Sequence, residues 1–149
     1  MKRALLLLIF LTGCEREPPP LPDAFLGTWR SDEALTLESM RQSDQITDDA
    51  RAVFENRFFG RLVVIFTETE RASFFADEDN LPDIVEHNIR DAGENFVVFV
   101  EPSNDELGLS SERTWYVDGN IAAVPIEEWG FTEYFRRVTP PSTNAEDSQ

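Results

Sequence analysis

Few residues of this chain are equipped for covalent chemistry. His87 is the only histidine and Cys14 the only cysteine. A Ser–His–acid triad would have to use His87. That residue lies on an alternating segment with apolar Val85 and Ile89 two positions either side, which reads as a partly buried strand position. The pair Ser110-Ser111 sits in no glycine-flanked nucleophile elbow. Asp77-Glu78-Asp79-Asn80 with Asp83 sets oxygen ligands near calcium-loop spacing. Pro82 stands where that loop needs its glycine, however, and Asn88 where it needs its glutamate, so the run reads as an acidic loop. No glycine loop suits a phosphate and no spacing suits zinc. The sequence therefore assigns no catalytic residue, metal or cofactor, and reads as a non-enzyme. Aromatic content is the remaining lead, with 12 phenylalanines, 3 tryptophans and 2 tyrosines. Most aromatics at these spacings are packing. The functional alternative is an apolar pocket lined by Phe54, Phe58, Phe74, Trp115 and Tyr134, with Phe59, Phe75 and Trp129 nearby.

Cys14 takes its meaning from what precedes it. Lys2 and Arg3 give a positive start, and Ala4 to Leu11 is an uninterrupted apolar run. The run is far shorter than the roughly 20 residues of a spanning helix, so it reads as the apolar core of an export signal. Leu11-Thr12-Gly13-Cys14 then resembles the lipobox of bacterial lipoprotein precursors. The resemblance implies cleavage before Cys14 (residues 1–13 being the signal peptide), diacylglycerol on its thiol and a further acyl chain on its amine. Two or three chains make such attachment stable, where one is marginal. Glu15 follows the cysteine instead of the aspartate associated with inner-membrane retention, which favours the outer membrane, facing the periplasm.

Without residues 1–13 the chain keeps 11 basic residues, all arginine, against 29 acidic ones, a net charge of −18. Such a charge disfavours nucleic acid and anionic headgroups as partners, and suits a soluble domain held off its membrane. Residues 14–22 form the lipidated cysteine and a tether containing four prolines, a semi-rigid extended spacer. Residues 140–149 read as a polar, disordered tail. Residues 23–139 lie between, enough for one domain with a core that needs no disulfide.

Within that domain, Phe25 to Arg30 reads as a first strand. Ser31 or Asp32 then caps a short helix over Leu35 to Gln42, and Thr47 caps a longer one running to Phe59. On the second helix Ala50, Val53, Phe54 and Phe58 share a face, and Gly60 ends it. From Arg61 the pattern becomes β: Leu62 to Thr67, Ala72 to Ala76, Asp83 to Asp91 (with a helix as alternative), Phe96 to Glu101, Glu112 to Val117, Ile121 to Val124 and Thr132 to Val138. Short turns between neighbours predict a mainly β fold. It is an antiparallel meander of seven or eight strands, closing into a barrel or half-barrel with a helical insertion after the first strand.

Gly27-Thr28-Trp29 on that first strand resembles the Gly-x-Trp motif of the lipocalin and fatty-acid-binding-protein superfamily. The resemblance implies a tryptophan plugging one end of a lipocalin-like barrel, with a late arginine, here Arg136 or Arg137, over its indole. Such stacking contributes roughly 0.5–2 kcal/mol. A helical insertion after the first strand is similar to the lid of the fatty-acid-binding branch. The late Arg-x-Tyr pair that holds a ligand carboxylate there is reversed here, as Tyr134-x-Arg136. The expectation is a tethered module binding a small apolar or amphipathic ligand. The alternative is a structural lipoprotein with a filled core that docks an envelope protein through its acidic surface.

Overall fold

The computed structural model describes residues 17–56, 58–101 and 111–138. The expected export signal, Cys14, Ser110 and the expected tail, residues 140–149, lie outside them. Nine strands are present among the described residues: β1 (Gly27–Ser31), β2 (Leu62–Phe66), β3 (Glu70–Phe75), β4 (Asp83–Glu86), β5 (Ile89–Gly93), β6 (Phe96–Val100), β7 (Glu112–Asp118), β8 (Ile121–Ile126) and β9 (Phe131–Arg137). Helices α1 (Glu33–Arg41) and α2 (Asp48–Glu55) both fall between β1 and β2. All strands belong to one antiparallel sheet, ordered β4-β3-β2-β1-β9-β8-β7-β6-β5. The fold is thus a mainly β meander, with first and last strands paired at its centre, curled into a half-barrel.

The two sheet edges, β4 and β5, are consecutive in the chain. The His87 amide donates to Thr69 O at 2.9 Å, on the β3 side, while Asn88 O accepts from the Val100 amide at 2.8 Å, on the β6 side. The chain therefore changes ladders between His87 and Asn88. This splits the expected strand Asp83–Asp91 in two and raises the count to nine. Across the seam, Phe66 of β2 stacks on Phe99 of β6 at 5.6 Å, which brings the inner faces of the two halves together.

Strand alternation places Trp29, Val64, Phe66, Val97, Phe99, Trp115, Val117, Ala122, Val124 and Phe135 in one buried cluster. A second cluster, Met40, Ile46, Phe54 and Phe59 against Phe131, lies under the helices. Helix α1 is fixed by a strand-length mismatch. β1 ends at Ser31, opposite Phe135, but β9 begins at Phe131. The hydroxyls of α1 take over as acceptors there: Thr132 N donates to Ser39 Oγ at 2.8 Å and Tyr134 N to Thr36 Oγ1 at 3.0 Å. Buried amides need such partners, and Thr36 is fully buried in supplying one.

Asp32, rather than Ser31, caps α1, accepting from Leu35 N at 3.0 Å, and Thr47 caps α2. The second helix is shorter than its pattern suggests, ending at Glu55. The chain leaves helical geometry there and brings Phe59 to within 5.4 Å of Phe54 and 6.0 Å of Phe131. Val53, expected on the buried face, is 63% exposed. The first strand likewise begins at Gly27, because Asp23–Phe25 form a 3-10 turn.

Candidate ligand-binding site

One end of the half-barrel is plugged. Trp29 is fully buried there, and its indole N–H donates to Phe25 O at 2.8 Å. Of the two late arginines, Arg137 lies over the ring, its Cζ 4.2 Å from the centroid. Its guanidinium also donates to Leu26 O, and to Ala24 O at 2.6 Å, tying the 3-10 turn to the last strand. Arg136 faces the other way and pairs with Asp32. Trp29 and Arg137 are direct partners in the ladder, so they must share a face. Gly27 has a backbone reason to be glycine: its φ is +113°, and a Cβ would sit 3.2 Å from Arg137 Nη1.

Towards the helical end lies a partly open recess of about 190 Å³. Leu62 and Val64 of β2, Trp115 of β7, Val124 and Ile126 of β8 and Phe135 of β9 make its apolar wall. Arg71, Ser73, Glu101, Arg113 and Glu133 also line it. Each polar group arrives by the same alternation that delivers the core. Glu133 lies between Phe131 and Phe135 on the inward face of β9, and Arg113 precedes Trp115 and Val117 on that of β7.

Three of these four charges are compensated. Arg71 pairs with Glu101 at 2.6 Å and lies over the Phe99 ring at 5.6 Å. Arg113, only 9% exposed, pairs with Glu128 at 3.2 Å. Glu133 differs: one carboxylate oxygen accepts from Ser31 Oγ at 3.2 Å, and no cation pairs with it among the described residues. Ser31 Oγ is itself positioned by the Gly60 amide, which donates to it at 3.2 Å. Glu133 is partly exposed and lines the recess. Burial raises its pKa from 4.5 to about 7, opposed by the Ser31 hydrogen bond.

The residues expected from the sequence to line a pocket are dispersed. Trp115 does line the recess, 4.7 Å from Phe135 and 5.2 Å from Phe66. Phe54 is buried in the helical cluster, beside Phe58 at 5.0 Å and Trp129 at 5.0 Å. Phe58 is 45% exposed on that cluster's rim. Phe74 lies between inward-facing Ser73 and Phe75, so it occupies the opposite face of β3. Tyr134 is on the outward face of β9, next to α1. His87 Nε2–H donates to Thr67 O at 2.9 Å, and its ring lies 5.6 Å from Phe99. Asp77 and Glu78 pair with Arg61 at 2.8 and 2.7 Å, which holds the Asp77 carboxyl below its ordinary range. No cluster of three metal-ligating side chains occurs among the described residues, and none of their helices is long and apolar enough to cross a membrane.

Larger hollows of about 810 and 400 Å³ lie outside the barrel, where residues 17–20 cross β5 and the β2–β3 turn. Their walls are the tether and a strand edge, open to solvent. The recess on the inner face is partly open too, but there charged side chains converge beside an apolar wall, and that makes it the candidate site.

No family model, curated protein or solved structure matches the chain. The functional reading therefore rests on the residues themselves.

Proposed function

We propose that this protein is a membrane-tethered lipoprotein whose lipocalin-like half-barrel binds a small amphipathic molecule. The supporting observation is the recess: an apolar wall from Leu62 to Phe135 faces polar side chains, one of them a carboxylate without a cationic partner among the described residues. Purely structural interiors seldom leave such groups together, because each costs free energy to desolvate. The volume restricts the ligand. About 190 Å³ holds roughly six waters at ~30 Å³ each, and drug-sized ligands occupy about 300–1,000 Å³. A long acyl chain is too large; a compound of about ten non-hydrogen atoms fits. The Trp29–Arg137 plug and the helical insertion accord with a lipocalin-like barrel. The lipobox sequence Leu11 to Cys14 supports a lipid anchor, with Glu15 favouring the periplasmic face of the outer membrane.

The test is native mass spectrometry of the lipoprotein gently extracted from its host, beside the variant Ser73→Phe, which fills the recess. A small molecule that accompanies the first and not the second supports a binding module. A clean mass in both, with no uptake of small aromatic probes, would sink it. The second reading, a docking lipoprotein, is favoured by the solid packing around Trp29, Phe66, Phe99 and Val97. It requires a partner recovered by cross-linking and released by salt.

A further inference from the structure

Within the reading just given, the charges around the recess narrow the ligand class. β3 contributes Arg71, which Glu101 at the end of β6 neutralises at 2.6 Å. β7 contributes Arg113, held by Glu128 at 3.2 Å. β2 and β8 face the recess with Leu62, Val64, Val124 and Ile126, and β1 contributes only the Ser31 hydroxyl to Glu133. Both described guanidinium groups are thus already committed to the protein's own carboxylates. An incoming carboxylate or phosphate would have to break an existing ion pair. It would also add a second negative charge beside Glu133. A cation meets the opposite situation, since Glu133 lines the space and, among the described residues, only Ser31 Oγ bonds to its carboxylate. A monocation there supplies the charge that the recess lacks.

We infer that the recess selects a small cationic amphiphile, a primary or secondary amine on a compact apolar body, whose ammonium pairs with Glu133 while its body lies against Trp115 and Val124. Ser73, also on the wall, offers a hydroxyl acceptor to a second ammonium N–H. The acidic surface supports this assignment, because a net charge of −18 after removal of residues 1–13 concentrates small cations near the protein. Volume sets the body at about the size of one aromatic ring with a two-carbon arm.

The experiment uses the chain from Glu15 onward, which keeps every residue of both cores and every strand. Three probes of matched shape are titrated by calorimetry at pH 8: 2-phenylethylamine, 2-phenylethanol and 3-phenylpropanoate. The amine is expected to bind at least about tenfold more tightly than the alcohol, with the acid weakest. Glu133→Gln should bring the amine down to about the alcohol's affinity. Carbon-13 NMR of the Glu133 carboxyl in the unaltered protein at pH 6 gives a readout that needs no variant. The amine should move it towards the carboxylate position, and the alcohol should not. Equal affinities for amine and alcohol, or tightest binding of the acid, would overturn the cation assignment while leaving the binding module standing. Failure of all three probes to bind would overturn both.

Discussion

Replacing Glu133 by Gln tests whether the carboxyl is as enclosed as the structure places it. The amide has nearly the same shape and still offers an oxygen to Ser31 Oγ, so the change removes a titration and little else. Burial lifts the carboxyl from 4.5 to about 7 in the folded protein, which means that the folded state binds the proton more tightly than the unfolded chain. This contribution to stability is fully present below pH 4.5 and is lost as pH rises through 7. Each pH unit of separation corresponds to about 1.4 kcal/mol, so the loss approaches about 3 kcal/mol by pH 8. All other carboxylates are common to both proteins and cancel in the comparison. Urea unfolding followed by tryptophan fluorescence at pH 4.5, 6, 7 and 8 should show Glu133→Gln gaining on the parent by about 3 kcal/mol across that range. The corresponding change in relative midpoint is roughly 1–3 M urea. Two stability curves that stay parallel from pH 4.5 to 8 would mean that Glu133 is solvated in solution. The charge argument for the recess would then fall with it.

Arg137→Ala should cost roughly 2–4 kcal/mol in the same assay, since it removes the stacking on Trp29 and two hydrogen bonds to backbone carbonyls. Arg136→Ala removes a guanidinium that is itself exposed from a pair with the largely buried Asp32, and should cost about 1 kcal/mol, less than Arg137→Ala. Thr36→Val keeps the side-chain shape but leaves the Tyr134 amide without its acceptor, an expected loss of about 1–3 kcal/mol that amide exchange at Tyr134 would localise. Gly27→Ala forces a side chain into a backbone at φ +113° beside Arg137, and should destabilise by roughly 1–3 kcal/mol. Cys14→Ser should release the protein from the membrane fraction; a serine variant that stays bound would disprove attachment through that thiol.

The sequence carried the strands well because a half-buried sheet imposes a period of two, and most segments show it. It left Arg136 and Arg137 undecided for a specific reason. Adjacent residues on a strand point to opposite faces, so the choice depends on register. Only the ladder, with Trp29 opposite Arg137, settles which one reaches the indole. The break at His87-Asn88 was hidden for a different reason. The alternation continues through both residues, while the change from β3 to β6 as partner is a long-range event. Helix α2 erred through periodicity itself: Val53 and Phe54 both suit an apolar face, yet only Phe54 meets the Phe59–Phe131 cluster.

The polar residues of the recess were present in the same pattern and were overlooked. Phe131, Glu133, Phe135 and Arg137 alternate along one strand, and Phe135 and Arg137 both contact the rings of the plugged core. Once that face is known to be buried, a glutamate between two phenylalanines is an enclosed carboxylate. With 29 acidic residues in the chain, counting could not single it out. Position on an otherwise apolar face could, and the same reasoning selects Arg113 two residues before Trp115. The aromatics drew attention because they are numerous. Packing accounts for most of them, leaving Trp115 and Phe135 as walls of the recess and the inward-facing charges as the residues that determine what can enter it.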